Sequence, residues 1–292
     1  MSKYITIFFI LLSFSSKSQI IRANAYYTNI GPKVDTLLLD SFPGASAAYS
    51  MRKLRTSYSG SCIRVRRSSD NAEQNIGFVN NYIDTTTLKT FCSGTNGFVT
   101  TWYDQSDSAK NATQTSASLQ PRVILSGALQ YFNNRPAVNF IAASLTHLLY
   151  NPIFITSSVM SSFVAANNTN AAGIRTIIGA TSASAPVLRF SGTTHQVVRQ
   201  AVINLQTGVA ASGNVIVSVL TDANNVRTRV NGVSTNTVVT VGFTNNPNWL
   251  GGQNFGGVYF NGTMGEVVIY ANDRSSNRTS IENNINRNWL IY

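Results

Sequence analysis

Acidic residues are scarce in this sequence. Only 11 of its 292 residues are Asp or Glu, against 22 Lys and Arg, and the formal net charge is +11. Such a basic chain could bind nucleic acid or an anionic glycan. However, its one dense basic run is Arg64–Arg67, and it carries no known nucleic-acid motif. The sequence therefore favours a soluble surface with few acids, and it predicts no nucleic-acid partner.

Cysteine and histidine are scarcer still, at two residues each. Cys62 and Cys92 could pair in an exported chain, but the sequence does not fix the distance between them, so a disulfide and two free thiols both stay open. His147 and His195 lie far apart, and the four residues lack the spacing of a metal site. We expect each histidine to be an ordinary surface or groove residue, and we expect no metal site.

Calcium is a lesser alternative. Asp104, Asp107 and the Asn and Ser side chains near them offer the oxygen ligands that this ion prefers. Their spacing matches no defined calcium-binding loop. We therefore expect no cofactor.

Apolar runs long enough to cross a bilayer are absent, because a transmembrane helix needs about 20 apolar residues. The longest run, Tyr4–Phe14, follows Lys3 and precedes small serine residues. This order predicts a secretory signal peptide at 1–18, with a retained anchor or an uncleaved segment of a particle protein as the alternative. We then expect a lead-in over 19–43, a single domain over 44–292 and no membrane span after cleavage. The predicted location is extracellular, either secreted or at the cell surface.

Three segments before residue 97 predict local structure. Apolar residues recur every three or four positions over 47–58, which predicts a short amphipathic helix. Ile63 and Val65 alternate with arginines, as in a half-buried strand. A second helix is predicted to start at an Asp84 cap and to stop at Gly94.

From Gly97 onward, short runs of β-branched and aromatic residues alternate with Asn, Gly and Ser clusters. This pattern predicts many short strands. The clearest predicted hairpin joins Val215–Leu220 to Val226–Val230. Asn231-Gly232 then predicts a tight turn, because this pair tolerates positive φ angles.

A helix is predicted to close the chain. Thr279 and Glu282 have the spacing of a capping box, and Ile281, Ile285 and Trp289 form one apolar stripe. Many short strands with few helices favour an all-β fold. The simplest such fold is an antiparallel two-sheet jelly-roll sandwich.

Four stretches carry a family resemblance: AYSMRKLRTSYSGSCIRVRRSSDNAEQNIG, FCSGTNGFVTTWYDQS, NWLGGQNFGG and NGTMGEVVIY. Their order resembles the catalytic domain of the α-L-arabinofuranosidase B family. The resemblance is fairly specific from Ala47 to Gln114, loose from Arg122 to Asn245, and recognisable again from Trp249 to the end. It implies a concanavalin/laminin-G-like jelly roll. It also implies an enzyme that removes arabinofuranose from plant-type polysaccharides by a retaining mechanism.

The residues that this mechanism needs are incomplete. A retaining glycosidase uses two carboxylates about 5 Å apart, one as nucleophile and one as acid/base. The family places its acid/base aspartate in a Gly-Gly-Asp-Asn segment, where this chain has Gln253. The family's nucleophile is an upstream glutamate, yet no acid lies between Asp107 and Asp222. Asp222 and Glu266 remain as weak catalytic candidates.

A ligand-binding segment is predicted at the family's active-site position. Trp249, Phe255 and Tyr259 could stack on sugar rings, while Gln253 and Asn254 could supply hydrogen bonds. Packing in the core is the alternative for the aromatic residues.

A polar cluster is predicted from Arg64, Arg67, Asp70 and Asp104. We interpret it as structural, with the two aspartates accepting backbone hydrogen bonds in turns and pairing with the arginines. An acid/base pair or a sugar clamp that also includes Glu73 is the alternative.

Three functions are compatible with these patterns. The leading hypothesis is a secreted, arabinofuranosidase-B-like domain that recognises a glycan or cell-surface polysaccharide without hydrolysing it. The first alternative is an active retaining α-L-arabinofuranosidase, acting on arabinose-containing polysaccharide with relocated carboxylates. The second is a structural or adhesive component of a surface appendage or virus-like particle.

Overall fold

Strands make up most of the described chain, which comprises residues 36–155, 158–169, 173–181, 187–191, 194–198, 205–210, 213–222, 225–238, 246–254 and 257–292 of a computed structural model. Leu37–Tyr292 form one compact unit. Its described α-helices are α1 (Leu38–Ser41), α2 (Thr85–Phe91) and α3 (Arg278–Trp289). The described strands are β1 (Ala47–Ser50), β2 (Ile63–Arg67), β3 (Glu73–Ile76), β4 (Phe78–Val79), β5 (Tyr82–Ile83), β6 (Gly97–Trp102), β7 (Ala112–Thr113), β8 (Arg122–Leu125), β9 (Ala128–Leu129), β10 (Tyr131–Phe132), β11 (Arg135–Pro136), β12 (Val138–Phe140), β13 (Leu148–Leu149), β14 (Met160–Asn168), β15 (Ile174–Gly179), β16 (Val187–Ser191), β17 (Thr194–Val198), β18 (Leu205–Ala210), β19 (Gly213–Thr221), β20 (Asn225–Val230), β21 (Val233–Val238), β22 (Trp249–Leu250) and β23 (Gly262–Tyr270).

Antiparallel pairing joins most strands into two runs. In the first run, β1 and β12 pair with successive parts of β23, and β14, β19, β20 and β21 follow on from it. A single bridge, Asn139 opposite Arg122, joins β12 to β8 of the second run. The second run contains β3, β2, β6 and β8, and it continues through β7, β13, β22 and β15 to β18. Tyr49 on β1 packs against Trp102 on β6 with ring centroids 6.0 Å apart, so the runs face each other across a shared core. The predicted antiparallel jelly-roll sandwich is confirmed.

Helix α3 covers the outer side of the central strand β23. Its predicted stripe of Ile281, Ile285 and Trp289 is confirmed, since each is at most 1% exposed. A Cβ added at Gly265 would lie 2.3 Å from the Trp289 ring, so the indole rests directly on the backbone of β23. Burying large apolar side chains of this kind stabilises a fold by roughly 1.5–3 kcal/mol each.

Several local predictions are also confirmed. β2 covers the predicted strand, and α2 begins after Asp84, whose carboxylate accepts a hydrogen bond from the Thr87 backbone N–H. β19 and β20 form the predicted hairpin. Asn231 and Gly232 turn the chain into β21 with φ angles of 50° and 76°, as a primed turn requires.

The helix predicted over 47–58 is wrong, because this segment begins with strand β1. All four residues of β1 are buried, and they pair with β23 from Ala47 opposite Ile269 to Ser50 opposite Glu266. The apolar spacing therefore reflects burial in a strand and the turns after it. Pairing and packing with distant strands overrode the local pattern.

The capping box predicted at Thr279 and Glu282 is also wrong. Helix α3 begins at Arg278, so both residues lie inside it. The Glu282 carboxylate turns toward the sheet and accepts a hydrogen bond from Ser218 Oγ and ion pairs from Arg278 and Arg229. This buried network holds the helix to β19 and β20.

The lead-in contributes to the core. Leu38 and Leu39 of α1 are both buried, at 0% and 5% exposure. The Leu39 backbone N–H donates to the Leu54 carbonyl at 2.7 Å, which ties this helix to the segment after β1.

Candidate functional site

The segment Gly251–Asn254, which follows β22, is packed too tightly for most side chains. The segment leaves the sheet beside β13 and β15, because β22 pairs with both of these strands. Gly251 has a φ of +80°, and a Cβ there would lie 2.2 Å from the Phe140 ring. A Cβ on Gly252 would lie 2.8 Å from Tyr259. The two glycines therefore allow the backbone to approach both aromatic rings.

The Gln253 side chain is held inside this segment. It is 6% exposed, and its Oε1 accepts a hydrogen bond of 3.1 Å from Thr176 Oγ1 on β15. Asn254 follows and is exposed, while its backbone N–H donates to the Ala180 carbonyl at 3.4 Å. Phe255 lies outside the described residues.

An aromatic cluster of His147, Trp249 and Tyr259 lies beside this segment. The His147 and Trp249 rings stack with centroids 4.2 Å apart and an angle of 17° between their planes. Tyr259 lies 5.7 Å from His147 and is half-buried. Trp249 Nε1 donates to Thr181 Oγ1 at 3.1 Å. One face of the indole is therefore covered by His147, and Tyr259 is the ring nearer the surface.

His147 is buried, so the prediction of an ordinary surface or groove residue is wrong for it. Its Nδ1 lies 2.8 Å from the Leu145 carbonyl oxygen, and its Nε2 lies 3.0 Å from Gln114 Nε2. A carbonyl only accepts and an amide nitrogen only donates, so a neutral ring protonated on Nδ1 satisfies both. Burial also lowers the pKa of His147, which favours the neutral form. The side chain of His195 lies outside the described part of the chain.

Carboxylates are engaged elsewhere in the structure. Ten of the 11 acids lie in the described residues, and Asp35 lies outside them. Each of the ten accepts a hydrogen bond or forms an ion pair: Asp40 with Thr56, Asp70 with Arg67, Glu73 with Arg64, Asp84 with Thr87, Asp104 with Ser106, Asp107 with Arg55, Asp222 with Arg227, Glu266 with Arg52, Asp273 with Ser275 and Glu282 with Arg278. Within the described chain, none of these partners belongs to the aromatic cluster or to Gly251–Asn254.

The two catalytic candidates lie in different environments. Glu266 is fully buried on β23, where it accepts hydrogen bonds from Ser50 Oγ at 3.0 Å and Trp289 Nε1 at 3.1 Å and pairs with Arg52. Asp222 lies at the β19–β20 turn, where Oδ1 accepts the Asn225 backbone N–H at 2.7 Å. Both sets of contacts are those of structural carboxylates.

The structure separates the predicted polar cluster into three parts. Arg67 pairs with Asp70 at 2.6 Å, and this contact lowers the pKa of Asp70 to about 2. Arg64 pairs instead with Glu73 across β2 and β3.

Asp104 contacts neither the Arg67–Asp70 pair nor the Arg64–Glu73 pair, and its carboxylate accepts hydrogen bonds that hold the loop after β6. It accepts backbone N–H groups of Ala48 at 2.8 Å, Ser106 at 2.9 Å and Lys110 at 2.8 Å. Ser106 Oγ donates to the same carboxylate at 2.7 Å. Searching the described residues finds no group of three or more His, Cys, Asp or Glu side chains placed to hold a metal ion.

The cysteines are both free and buried. Cys62 Sγ donates to the Ser50 carbonyl at 3.3 Å. Burial raises the pKa of the Cys62 thiol, and it raises that of Cys92 to about 11. Both residues act as small core side chains.

The fold is an antiparallel jelly-roll sandwich, and an aromatic and amide-lined segment follows β22. Residues 40–151 match a family model described as α-L-arabinofuranosidase B, catalytic. The resemblance predicted from the motifs is thereby confirmed, and the chain carries an arabinofuranosidase-like domain. No curated protein sequence matches the chain.

Solved structures give the same fold. A mutant GH54 α-L-arabinofuranosidase soaked with 4-nitrophenyl α-L-arabinofuranoside superposes with a TM-score of 0.69 at 17% identity, covering 85% of this chain and 64% of that chain. An arabinofuranosidase complexed with arabinofuranosyl-α-1,2-xylobiose gives a TM-score of 0.60 at 16% identity, with the same coverage of 85% and 64%. This chain therefore spans 64% of the length of these enzymes.

Two sequence predictions concern membranes and export. No helix among the described residues is long and apolar enough to span a bilayer. The predicted signal peptide at 1–18 lies outside the described residues.

Proposed function

We propose that this chain is an exported, arabinofuranosidase-like domain that recognises a glycan and does not hydrolyse it. The observation that carries the proposal is Gln253. This side chain stands where the family resemblance places the proton donor, and Thr176 holds its amide in a buried position. A side-chain amide has no acidic proton to deliver to a leaving group, so the general-acid step lacks its donor.

The positions of the carboxylates support the same proposal. A retaining mechanism needs two carboxyl groups about 5 Å apart in a groove that the substrate can enter. Glu266 is fully buried under contacts from Arg52, Ser50 and Trp289. Asp222 is committed to its turn and to Arg227.

The side chains of the proposed ligand-binding segment suit binding of a glycan rather than its hydrolysis. The half-buried Tyr259 and the exposed Asn254 offer a ring face and an amide, which are the groups that hold neutral sugars in protein sites. We propose that the ligand is an arabinofuranose-bearing polysaccharide, because the relatives above were solved with arabinofuranosyl ligands. Phe255 and Trp249 complete the proposed ligand-binding segment.

Export belongs to the same proposal. The segment at 1–18 has the charge and apolar order of a secretory signal, and its removal would leave the lead-in and the domain over 44–292 outside the cell. An extracellular domain of this kind would meet polysaccharide directly. N-terminal sequencing of protein recovered from the culture medium tests this part independently.

The functional test measures binding and turnover on one preparation. The chain over 19–292 is titrated with arabinan and arabinoxylan by affinity electrophoresis and is incubated with 4-nitrophenyl α-L-arabinofuranoside. We expect retarded migration without release of nitrophenol. Tyr259→Ala should weaken binding, whereas Phe154→Ala, which removes a 70% exposed aromatic side chain that belongs to neither the aromatic cluster nor Gly251–Asn254, should not.

Two results would contradict the proposal. One is turnover by the unmodified chain that disappears in Asp222→Asn while the protein stays folded, because it would show an active enzyme with a relocated carboxylate. The other is no retardation in either polysaccharide.

A further inference from the structure

A second concave site lies on another part of the molecule, and it does not depend on the proposed function. This cleft of about 580 Å³ is bounded by two small hairpins, by Arg52 and by the end of helix α3. Its volume falls in the range of about 300–1,000 Å³ that is usual for small-molecule sites. Its lining shares no residue with the aromatic cluster or with Gly251–Asn254.

The two hairpins that form the walls have the same construction. β4 and β5 are joined by Asn80-Asn81, and β10 and β11 are joined by Asn133-Asn134. All four asparagines have positive φ, between 45° and 65°. Tight turns of this kind hold the hairpins in one geometry. We call the space between them the hairpin cleft.

The two walls of the hairpin cleft contact each other through Arg135 and Tyr82. The guanidinium carbon of Arg135 lies 5.1 Å from the centre of the Tyr82 ring. Tyr82 is nevertheless 44% exposed, so much of its surface remains open to a ligand. This cation–π contact joins two short hairpins that form separate two-stranded sheets in the described part of the chain.

The floor contains a guanidinium with unused hydrogen-bonding capacity. Arg52 Nε and Nη2 bind Glu266 at 2.8 and 2.9 Å, and Nη2 also binds Asn284 Oδ1 at 2.9 Å. Nη1 of Arg52 makes no hydrogen bond to the described residues. Trp289 lines the same part of the cleft.

Asn288 supplies the observation that points to a ligand. It lines the cleft and is only 6% exposed, yet neither its Oδ1 nor its Nδ2 has a hydrogen-bond partner in the described structure. Buried amides are nearly always satisfied, because an unpaired donor or acceptor lowers stability. An unsatisfied amide in the wall of a cleft is expected where a bound molecule completes the hydrogen bonds.

The charges of the cleft favour a neutral molecule. Glu266 forms an ion pair with Arg52, and the rest of the lining contains one guanidinium, Arg135, and one carboxylate, Asp84. Hydrogen bonds from Thr87 lower the pKa of Asp84, which is therefore ionised. The remaining charges of the lining are therefore one positive and one negative, which favours a ligand without net charge.

A hydroxyl group both donates and accepts, so adjacent hydroxyls can satisfy the two amide atoms of Asn288 together. The exposed surface of the Tyr82 ring suits the C–H surface of a sugar ring, while the buried Trp289 supports the cleft from below. We propose that the hairpin cleft binds a neutral sugar ring, held by Asn288 and Arg52 and stacked at Tyr82. The domain would then carry two separate carbohydrate sites.

The test compares the unmodified domain with variants in the cleft, a control variant on α3 and variants in the aromatic cluster. L-arabinose, D-xylose and D-galactose are titrated in the tens of millimolar range, with binding followed by protein-observed NMR, and D-glucuronate serves as the charged comparison. Asn288→Leu keeps the side-chain size but removes the amide, so we expect at least a tenfold loss of affinity for the neutral sugar without a lower melting temperature. Tyr82→Ala should also weaken binding. Asn283→Leu, the same change on the exposed side of α3, should leave it unchanged.

The outcomes separate the two proposals. The hairpin-cleft proposal is supported if the NMR chemical-shift changes caused by a neutral sugar persist in Trp249→Ala and Tyr259→Ala but vanish in Asn288→Leu. This result does not depend on whether the aromatic cluster binds a glycan. The inference is overturned if no neutral sugar shifts the cleft residues, if glucuronate binds more tightly than all of them, or if Asn288→Leu binds as well as the unmodified chain.

Discussion

Replacing Glu266 with glutamine tests whether this buried carboxylate is structural or catalytic. The Glu266 side chain is fully buried and the Arg52 side chain is 10% exposed. Glu266→Gln keeps the shape of the side chain but removes its charge. The Arg52 guanidinium is then left buried without its counter-charge, and an amide NH₂ group must face donors that now bind a carboxylate.

The magnitude follows from the burial of the pair. Removing one partner of a buried ion pair typically destabilises a protein by about 3–5 kcal/mol. That is a large part of the roughly 5–15 kcal/mol that stabilises most domains. With an m-value near 3 kcal/mol/M, the urea midpoint should fall by about 1 M or more. Removing both charges, in Arg52→Met with Glu266→Gln, should recover part of this loss.

The assay is urea unfolding followed by tryptophan fluorescence, because Trp289 donates directly to Glu266. Glu73→Gln is the matched control, since its ion pair with Arg64 is partly exposed, with 33% and 47% of the side chains accessible. That change should lower the free energy of unfolding by less than about 1 kcal/mol. A Glu266→Gln variant that is as stable as the control would refute the structural role. Loss of a measurable arabinofuranosidase activity at unchanged stability would instead indicate a catalytic one.

Two further predictions concern the candidate site. Gly251→Ala should lower the melting temperature by more than Gly94→Ala, because both glycines have positive φ but only at Gly251 would the new Cβ lie 2.2 Å from Phe140. Backbone strain alone should destabilise either variant by about 1–2 kcal/mol. Equal effects of the two changes would argue against the close packing at Gly251. Burial lowers the pKa of His147 below its ordinary value of 6.5, so the unfolded chain binds more protons below that pH, and the free energy of unfolding should decrease as the pH falls below 6.5. His147→Gln should flatten this dependence in denaturation series at several pH values, whereas an unchanged slope would assign it to other groups.

The fold was largely predictable because much of it is encoded locally. Alternation in β2, the Asn231-Gly232 turn and the stripe on α3 each depend on residues close together in the chain, and each is found in the structure. The segment over 47–58 was mispredicted for the opposite reason. β1 owes its conformation to pairing with β23, more than 200 residues away, which no local spacing reveals.

The candidate site was only partly predictable. Gln253 could be found from the motif that surrounds it, but Thr176, which holds its amide, lies on a different strand. His147 carries no pattern that marks it, and only the pairing of β13 with β22 brings it onto Trp249. Similarly, nothing in the sequence around Asn288 indicates that its amide is left unsatisfied in the wall of a cleft.

By itself, the sequence determined which chemistry the residues can perform. A glutamine at 253 cannot act as an acid in any fold, and the order of turns and strands follows from short-range sterics and burial. The tertiary structure alone decided which polar groups meet. Glu266 faces Arg52, and Asn288 faces the hairpin cleft, because strands distant in sequence pair and the closing helix packs across them. Such contacts depend on the three-dimensional arrangement of the whole sandwich, which short-range patterns do not contain.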